Sequence, residues 1–427
     1  MKKFYIKTQG CKTNQLEGAI ITEKLEEAGY QQTQYEQDAD FYILNSCSVT
    51  ENADNEALRI LRHIKSTDKS ITTVLTGCVA QLACETIKKH DYIDILLGNN
   101  DKFEIAKLLE KEKSAVTDIF SVESFNNQTV HKYFKTRGYL KIQDGCNNYC
   151  SYCTIPFARG KSRSNSIDNI IEQVKIYSDA QIKEVVLTGI HIGQWGSDIN
   201  SEYNLQKLLE KIEETNIPRY RLGSLNTLEI TDNLLNFLAG SKKFCPHFHL
   251  SLQSLNDKIL NAMNRHYNAA QCLDLIDKIN SKFNIPFIGS DIIVGFPGET
   301  EEDFFKTYEN AKKSSLSAIH VFPYSVRKNT AAEKMQNHVE LNIKKERAAI
   351  LQKLAKNKTN EFIKKNINTH QEILVEKRLD KKSGLLKGVT KNYLNVFIDS
   401  SDQTLCNTIQ NVKIVNKNDE FLFCTII

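Results

Sequence analysis

The sequence predicts an α/β protein in three parts: an N-terminal parallel α/β domain, a central partial (β/α)6 barrel and a small antiparallel β barrel at the C-terminal end. Three observations predict it. An apolar extended run that ends in a cysteine and is followed by a helical pattern recurs three times near the N-terminus, as parallel α/β units do. Six further strand-like runs then alternate with helical or polar segments, and the last part breaks into short alternating runs punctuated by Gly384 and Gly388, the pattern of a small barrel.

The first three runs, "KKFYIKTQGC", "ADFYILNSCS" and "ITTVLTGCVA", end at Cys11, Cys47 and Cys78, spaced by about one βαβ repeat. Ligands of open parallel sheets collect where strands end and helices begin, so the three thiols are candidates to converge on one metal cluster. Gly10 and Gly77 precede two of them and let backbone approach a bulky group. The plainer alternative is three buried structural thiols. Cys84, two turns into the next helix, reads as core. This unit is assigned residues 1–125.

The polar stretch Ser121 to Gly138 reads as a linker, and a second unit is assigned residues 132–366. Its strand-like runs are Tyr139–Gln143, Glu184–Thr188, Arg219–Leu222, His247–Leu252, Phe287–Val294 and Ala318–Phe322. Directly after the first of them comes "DGCNNYCSYC", with Cys146, Cys150 and Cys153, at the C-terminal strand end where such barrels do chemistry. Cys-x3-Cys-x2-Cys supplies three of the four corners of an iron-sulfur cubane, and the next cysteine, Cys245, is far downstream. One iron is thereby left open for a ligand. The competing reading, a zinc knuckle that borrows His131 or a distant cysteine, fits less well because zinc motifs favour two pairs. Later strand ends carry Gly189, Gly193, Ser224, Gln253, Ser254 and Asp291, then Gly295 and Gly298 in "GFPGE". Polar groups gathered on one barrel face line a cofactor pocket; turn and cap roles are the alternative.

Between Leu341 and Asn366 a helical pattern carries eight basic residues against two acidic ones, which most often means a solvated helix face. Residues 367–427 form the third unit, with "EILVEKR", "GLLKGVT", "NYLNVFID", "VKIVN" and "EFLFCTII" as its strands.

At 427 residues with 41% hydrophobic content the chain suits a soluble protein of two or three domains. No apolar run approaches the ~20 residues of a membrane span, and the basic start lacks a signal-peptide core. A cytoplasmic location without membrane contact is expected. Eleven cysteines without export signals point to free thiols for metals or catalysis rather than disulfides. A net charge of +4 does not by itself indicate nucleic acid.

The three-cysteine N-terminal unit, the Cys-x3-Cys-x2-Cys barrel and the terminal β module together resemble the radical S-adenosylmethionine (radical SAM) methylthiotransferases, whose last domain is of the TRAM type. "TQGCKTNQLEG", "LNSCSVTENAD", "TGCVAQ", "DGCNNYCSYCTIPFARGKSRS", "LTGIHIG" and "FPYS" are most similar to the branch that acts on N6-threonylcarbamoyladenosine at position 37 of tRNAs reading ANN codons. Asn226, Thr227, Leu255 and Asn329 depart from that branch's pattern near the pocket. The resemblance implies two 4Fe-4S clusters, one held by Cys146, Cys150 and Cys153, the other by Cys11, Cys47 and Cys78. It implies that SAM acts as radical source and methyl donor, contacting Gly189, Gly193, Ser224, Gln253, Asp291 and Gly295. A 5′-deoxyadenosyl radical would abstract hydrogen from C2 of the adenine, a position without useful acidity. A reductase or flavodoxin-like electron donor and a sulfur donor are expected partners, with the tRNA anticodon loop as substrate. Arg159, Lys161, Arg163, Lys377, Arg378, Lys381 and Lys382 are its candidate RNA contacts. Alternatives are methylthiotransferases acting on N6-isopentenyladenosine-37 or a ribosomal-protein aspartate, and a non-catalytic iron-sulfur RNA-binding sensor.

Overall fold

The computed structural model describes every residue except 132–134, 401 and 418–420; the expected start of the second unit, residue 132, lies outside the described residues. The N-terminal sheet is wholly parallel. Its strands β1 (Lys3–Thr8), β2 (Gln31–Gln32), β3 (Phe41–Ser46), β4 (Thr72–Gly77) and β5 (Ile95–Leu97) run in the order β2-β1-β3-β4-β5. The central strand β3 is buried at every position, which is why it reads Phe-Tyr-Ile-Leu without alternation. Tyr42, Leu44 and Leu75 pack on one face, and Phe4, Ile43 and Val74 on the other. The helix Glu51–Thr67 starts where the Thr50 hydroxyl accepts from the Ala53 N–H, satisfying one of the open donors of the first turn.

The barrel strands are β6 (Arg137–Lys141), β9 (Glu184–Thr188), β10 (Arg219–Leu222), β11 (Ser224–Leu225), β12 (His247–Gln253), β13 (Phe287–Val294) and β14 (Ala318–Pro323). They form two parallel sheets, β10-β9-β6 and β11-β12-β13-β14, packed around one core. The first expected strand stops at Lys141. Gln143 and Asp144 leave it as β7 (Gln143–Asp144) to pair antiparallel with β8 (Arg163–Ser164), closing the cysteine loop onto itself.

The basic stretch is one helix, Leu341–Asn366, but it is not merely a solvated face. Arg347 Nη1 donates to Glu299 Oε1 (2.7 Å) and Lys358 Nζ to the Lys312 carbonyl (2.7 Å), both side chains being buried. The last domain is a closed barrel of β15 (His370–Val375), β16 (Leu386–Thr390), β17 (Asn395–Ile398), β18 (Ile409–Lys417) and β19 (Leu422–Ile426), in the order β15-β16-β17-β19-β18. Four of its five pairings are antiparallel, as expected of a small antiparallel barrel, and one is parallel. β18 pairs with β15 to complete the closure, and β19 lies between β18 and β17, running parallel to β17. Arg219 and Arg221 at the base of the larger barrel donate to the carbonyls of Val389 and Lys391 (3.0 and 2.9 Å), and Asn392 Nδ2 to that of Ile285 (2.9 Å). Among the described residues no helix is long and apolar enough to cross a membrane.

Candidate functional site

Cys146, Cys150 and Cys153 occupy the loop between β7 and the helix Ile155–Arg159. Gly145 turns the chain into it at φ +72°, where a Cβ would lie 1.9 Å from the Lys161 carbonyl oxygen, so only glycine fits. The loop is pinned from outside: Ser151 N–H donates to the Met263 carbonyl (3.1 Å) and its own carbonyl accepts from Ala332 N–H (2.7 Å). Each sulfur faces a donor. Asn148 N–H points at Cys146 Sγ (3.5 Å), Ile155 N–H at Cys153 Sγ (3.4 Å) and Arg265 Nη1 at Cys150 Sγ (3.2 Å). Burial, followed by the neighbouring Cys150 and Cys146, pushes the Cys153 thiol up to about 12. Three thiolates packed this tightly repel one another, and a cation bound between them removes the conflict.

A cavity of about 180 Å³ opens beside the three sulfurs, walled by Ser224, Asn226, Ser251, Gln253, Arg265, Ile190 and His191 among others. Gln253 sits at φ +65°, a strained conformation of the kind that clusters at functional positions. Of the expected pocket residues, Ser224 and Gln253 line this cavity. Gly189, Gly193, Asp291 and Gly295 do not. Gly189 is required by the Gln143 carbonyl, 2.7 Å from where its Cβ would be; Gly193 by Glu229; and Gly295, at φ +72°, by the Lys344 side chain. Asp291 stands instead between His249 and His320.

Sequence reasoning missed a polar network behind the cavity. Asn226 Nδ2 donates to Glu229 Oε1 (3.0 Å), Asn226 Oδ1 accepts from Arg265 Nη2, and His191 bonds Glu229. Burial pulls the His191 pKa down, but its bonds to Cys146 and Glu229 outweigh this and raise it to about 9. Gln143 Oε1 accepts from the N–H groups of Ile190 and His191 (3.1 and 2.7 Å), while its Nε2 donates to the Gly145 carbonyl (2.7 Å). One side chain therefore ties the glycine turn to the cysteine loop. His191, between the two glycines singled out, was the available signal; Arg265 in "NRHY" carried none. Of the positions expected to depart from the resembled pattern, Asn226 lies inside this network, Thr227 is buried against Cys272 (3.6 Å) and Leu255 lies in the core. Asn329 stands at φ +65°, which asparagine tolerates best after glycine.

Cys11, Cys47 and Cys78 end the neighbouring strands β1, β3 and β4. They are mutually close: burial, then Cys78 and Cys11, push the Cys47 thiol up to about 11. Gly10, at φ +87°, would place a Cβ 2.4 Å from Cys47 Cβ and 2.6 Å from its sulfur. Gly10→Ala is therefore expected to displace Cys47 and lower the iron and sulfide content of anaerobically purified protein by about half; unchanged iron would contradict the role given to this turn. Cys84 packs against the sheet core, as expected.

The two triads sit on touching elements. The helix Ile155–Arg159, which follows Cys153, packs against the helix Cys78–Leu82, and Asn99 Nδ2 bridges Cys78 Sγ (3.7 Å) and the Ala158 carbonyl (2.8 Å). Arg159 is 1% exposed, its guanidinium held by Glu17 (2.9 Å), Asp144 (3.1 Å) and Asn14 (2.7 Å). Arg163 is buried as well and donates to the carbonyls of Lys161 and Arg159 (2.8 and 2.7 Å). Both are internal braces, not phosphate ligands, whereas Lys161 is exposed. Lys377, Arg378 and Lys381, with Lys387, line a groove of about 580 Å³ whose other wall includes Lys135 and Arg137. Lys382 lies exposed in the same loop.

Residues 140–311 match the radical SAM superfamily, and residues 3–98 the uncharacterized protein family UPF0004. The chain is 37% identical over 404 residues to the threonylcarbamoyladenosine tRNA methylthiotransferase of Aquifex aeolicus, covering 92% of this chain and 96% of that one. It is 31% identical over 425 residues to the tRNA-2-methylthio-N(6)-dimethylallyladenosine synthase of Bacillus pumilus, covering 97% and 84%. Among solved structures, the radical S-adenosylmethionine methyltransferase of Kitasatospora setae superposes with a TM-score of 0.55 at 11% identity, covering 76% of this chain and 75% of that one. That last likeness is one of fold.

Proposed function

The chain belongs to the radical SAM tRNA methylthiotransferase family, and from that premise we propose that it adds a methylthio group to C2 of N6-threonylcarbamoyladenosine at position 37 of tRNAs reading ANN codons. The observation that carries the reading is the contact between the Ile155–Arg159 and Cys78–Leu82 helices, which brings two thiol triads together across one short interface. Identity of 34–37% to threonylcarbamoyladenosine enzymes, against 30–31% to dimethylallyladenosine enzymes, supports the branch.

In this reading Cys146, Cys150 and Cys153 hold one 4Fe-4S cluster and Cys11, Cys47 and Cys78 a second, with SAM in the cavity walled by Ser224 and Gln253. The donor sets fit, because each has three mutually repelling thiols, and in the first each sulfur faces an N–H. When bound, these groups supply the radical chemistry that replaces a C–H hydrogen with sulfur and methylates it. The chain's own residues do the positioning. Arg265 places a buried cation against Cys150, His191 brings a second beside Cys146, and Gln143 fixes the loop and turn that frame the cavity. Phosphates of a splayed anticodon loop are taken by Lys377, Arg378, Lys381 and Lys382 around the groove, with Lys161 exposed after the cysteine loop. Units 1–125, 132–366 and 367–427, a flavodoxin-like or reductase electron donor, a sulfur donor and a cytoplasmic setting complete the proposal.

Mass spectrometry of tRNA nucleosides from a deletion strain tests it. Methylthio-threonylcarbamoyladenosine is expected to disappear and to return with the wild-type gene but not with Cys146→Ala. Loss of the methylthio group from an isopentenyl-type adenosine instead would overturn the branch.

A further inference from the structure

Three side chains on adjacent parallel strands meet outside both cysteine triads. In the register of β12, β13 and β14, His249 pairs with Gly289 and Asp291 with His320. Side chains two apart on a strand share a face, so all three project from the same side of the sheet. A Cβ at Gly289 would meet the Phe287 ring at 2.8 Å and His249 Cδ2 only at ordinary contact distance, 3.5 Å. The three nearest polar atoms form an almost equilateral triangle: His249 Nε2 to Asp291 Oδ1 3.3 Å, His320 Nδ1 to Asp291 Oδ1 3.2 Å, and His249 Nε2 to His320 Nδ1 3.4 Å.

Two arrangements of protons are open to this triangle. Both imidazoles can donate to Asp291 Oδ1, whose two lone pairs accept them. If His249 Nδ1 instead donates to Ser224 Oγ (2.9 Å), the neutral ring turns a lone pair at Nε2 toward a carboxylate oxygen. A metal ion suits the second arrangement, since it takes lone pairs from all three atoms, and a tetrahedron with bonds of ~2.0–2.1 Å has edges of ~3.3–3.4 Å. Ser224 supplies the outer bond that orients a ligating imidazole.

We propose that His249, Asp291 and His320 form a divalent-cation site of zinc type, with a fourth position open to water or to an oxygen or nitrogen of a bound substrate. Two imidazoles and one carboxylate with an open corner are the donor set of a site that exchanges ligands rather than a closed structural one. Ser224 both supports His249 and lines the cavity beside Cys146, Cys150 and Cys153, so the cation adjoins the candidate reaction chamber without sharing a ligand with it. The His320 side chain is 57% exposed, which gives the ion a way in.

The test is equilibrium dialysis of cluster-loaded enzyme against Zn²⁺, with zinc and iron counted together. About one zinc per chain is expected with no loss of iron. His249→Ala and His320→Ala are each expected to weaken retention by about 100-fold or more, and Ser224→Ala, which keeps all three ligands, by about 10-fold. Absence of zinc retention, zinc uptake matched by iron loss, or equal retention by His320→Ala with unchanged iron each overturns the proposal.

Discussion

Cys146→Ala is expected to reduce 5′-deoxyadenosine formation, in anaerobic assays with dithionite and SAM, to the level of an enzyme-free blank. A variant lacking Cys11, Cys47 and Cys78 together is expected to keep forming it while transferring no sulfur, and each protein should retain about half of the wild-type iron and sulfide. The split follows from the placement of the thiols. Cys146, Cys150 and Cys153 border the cavity that holds Ser224 and Gln253, whereas Cys11, Cys47 and Cys78 end strands of a separate sheet. Continued cleavage of SAM by Cys146→Ala would remove the role given to that loop. Intact methylthiolation by the triple variant would do the same for the N-terminal one.

What was legible in the sequence was local. A cysteine closing an apolar run before a helix is fixed by the strand-to-helix grammar, so both triads and most strand bounds could be read from one dimension. Gly10 could be read too, because the group it accommodates, Cys47, ends the next run of the same repeated pattern. Gly193 and Gly295 could not, since the groups that crowd them, Glu229 and Lys344, are marked by no repeated pattern. The run Arg159, Lys161, Arg163 looks like a phosphate patch until Glu17, 142 positions away, is found beside Arg159. Burial of a charge is decided by such partners, and no periodicity encodes them. The His249, Asp291 and His320 triangle was hidden for the same reason, as parallel strands bring together residues that the chain keeps far apart.

Glu17→Gln is expected to produce the largest stability loss of any conservative single substitution described for this chain, about 3–5 kcal/mol. The Glu17 carboxylate is 1% exposed and receives Lys102 (2.6 Å), Lys141 (3.0 Å) and Arg159 (2.9 Å). Burial alone would raise its pKa, but these cations hold it well below the usual carboxylate range. A neutral amide strands three buried cations with only Asp144 still paired to Lys141 and Arg159. Lys102→Met should cost distinctly less. Burial pushes the pKa of its amine down against the opposing pull of Glu17, and its removal leaves Glu17 two cationic partners. Denaturation of the cluster-loaded proteins ranks the two, and equal losses would show that the cluster is not organised around Glu17. The same carboxylate sets the relation between the triads: Arg159 lies six residues beyond Cys153 and bonds Asn14, three beyond Cys11. Glu17→Gln should therefore lower sulfur transfer more than 5′-deoxyadenosine formation at temperatures where both domains remain folded. A purely structural role would lower both together.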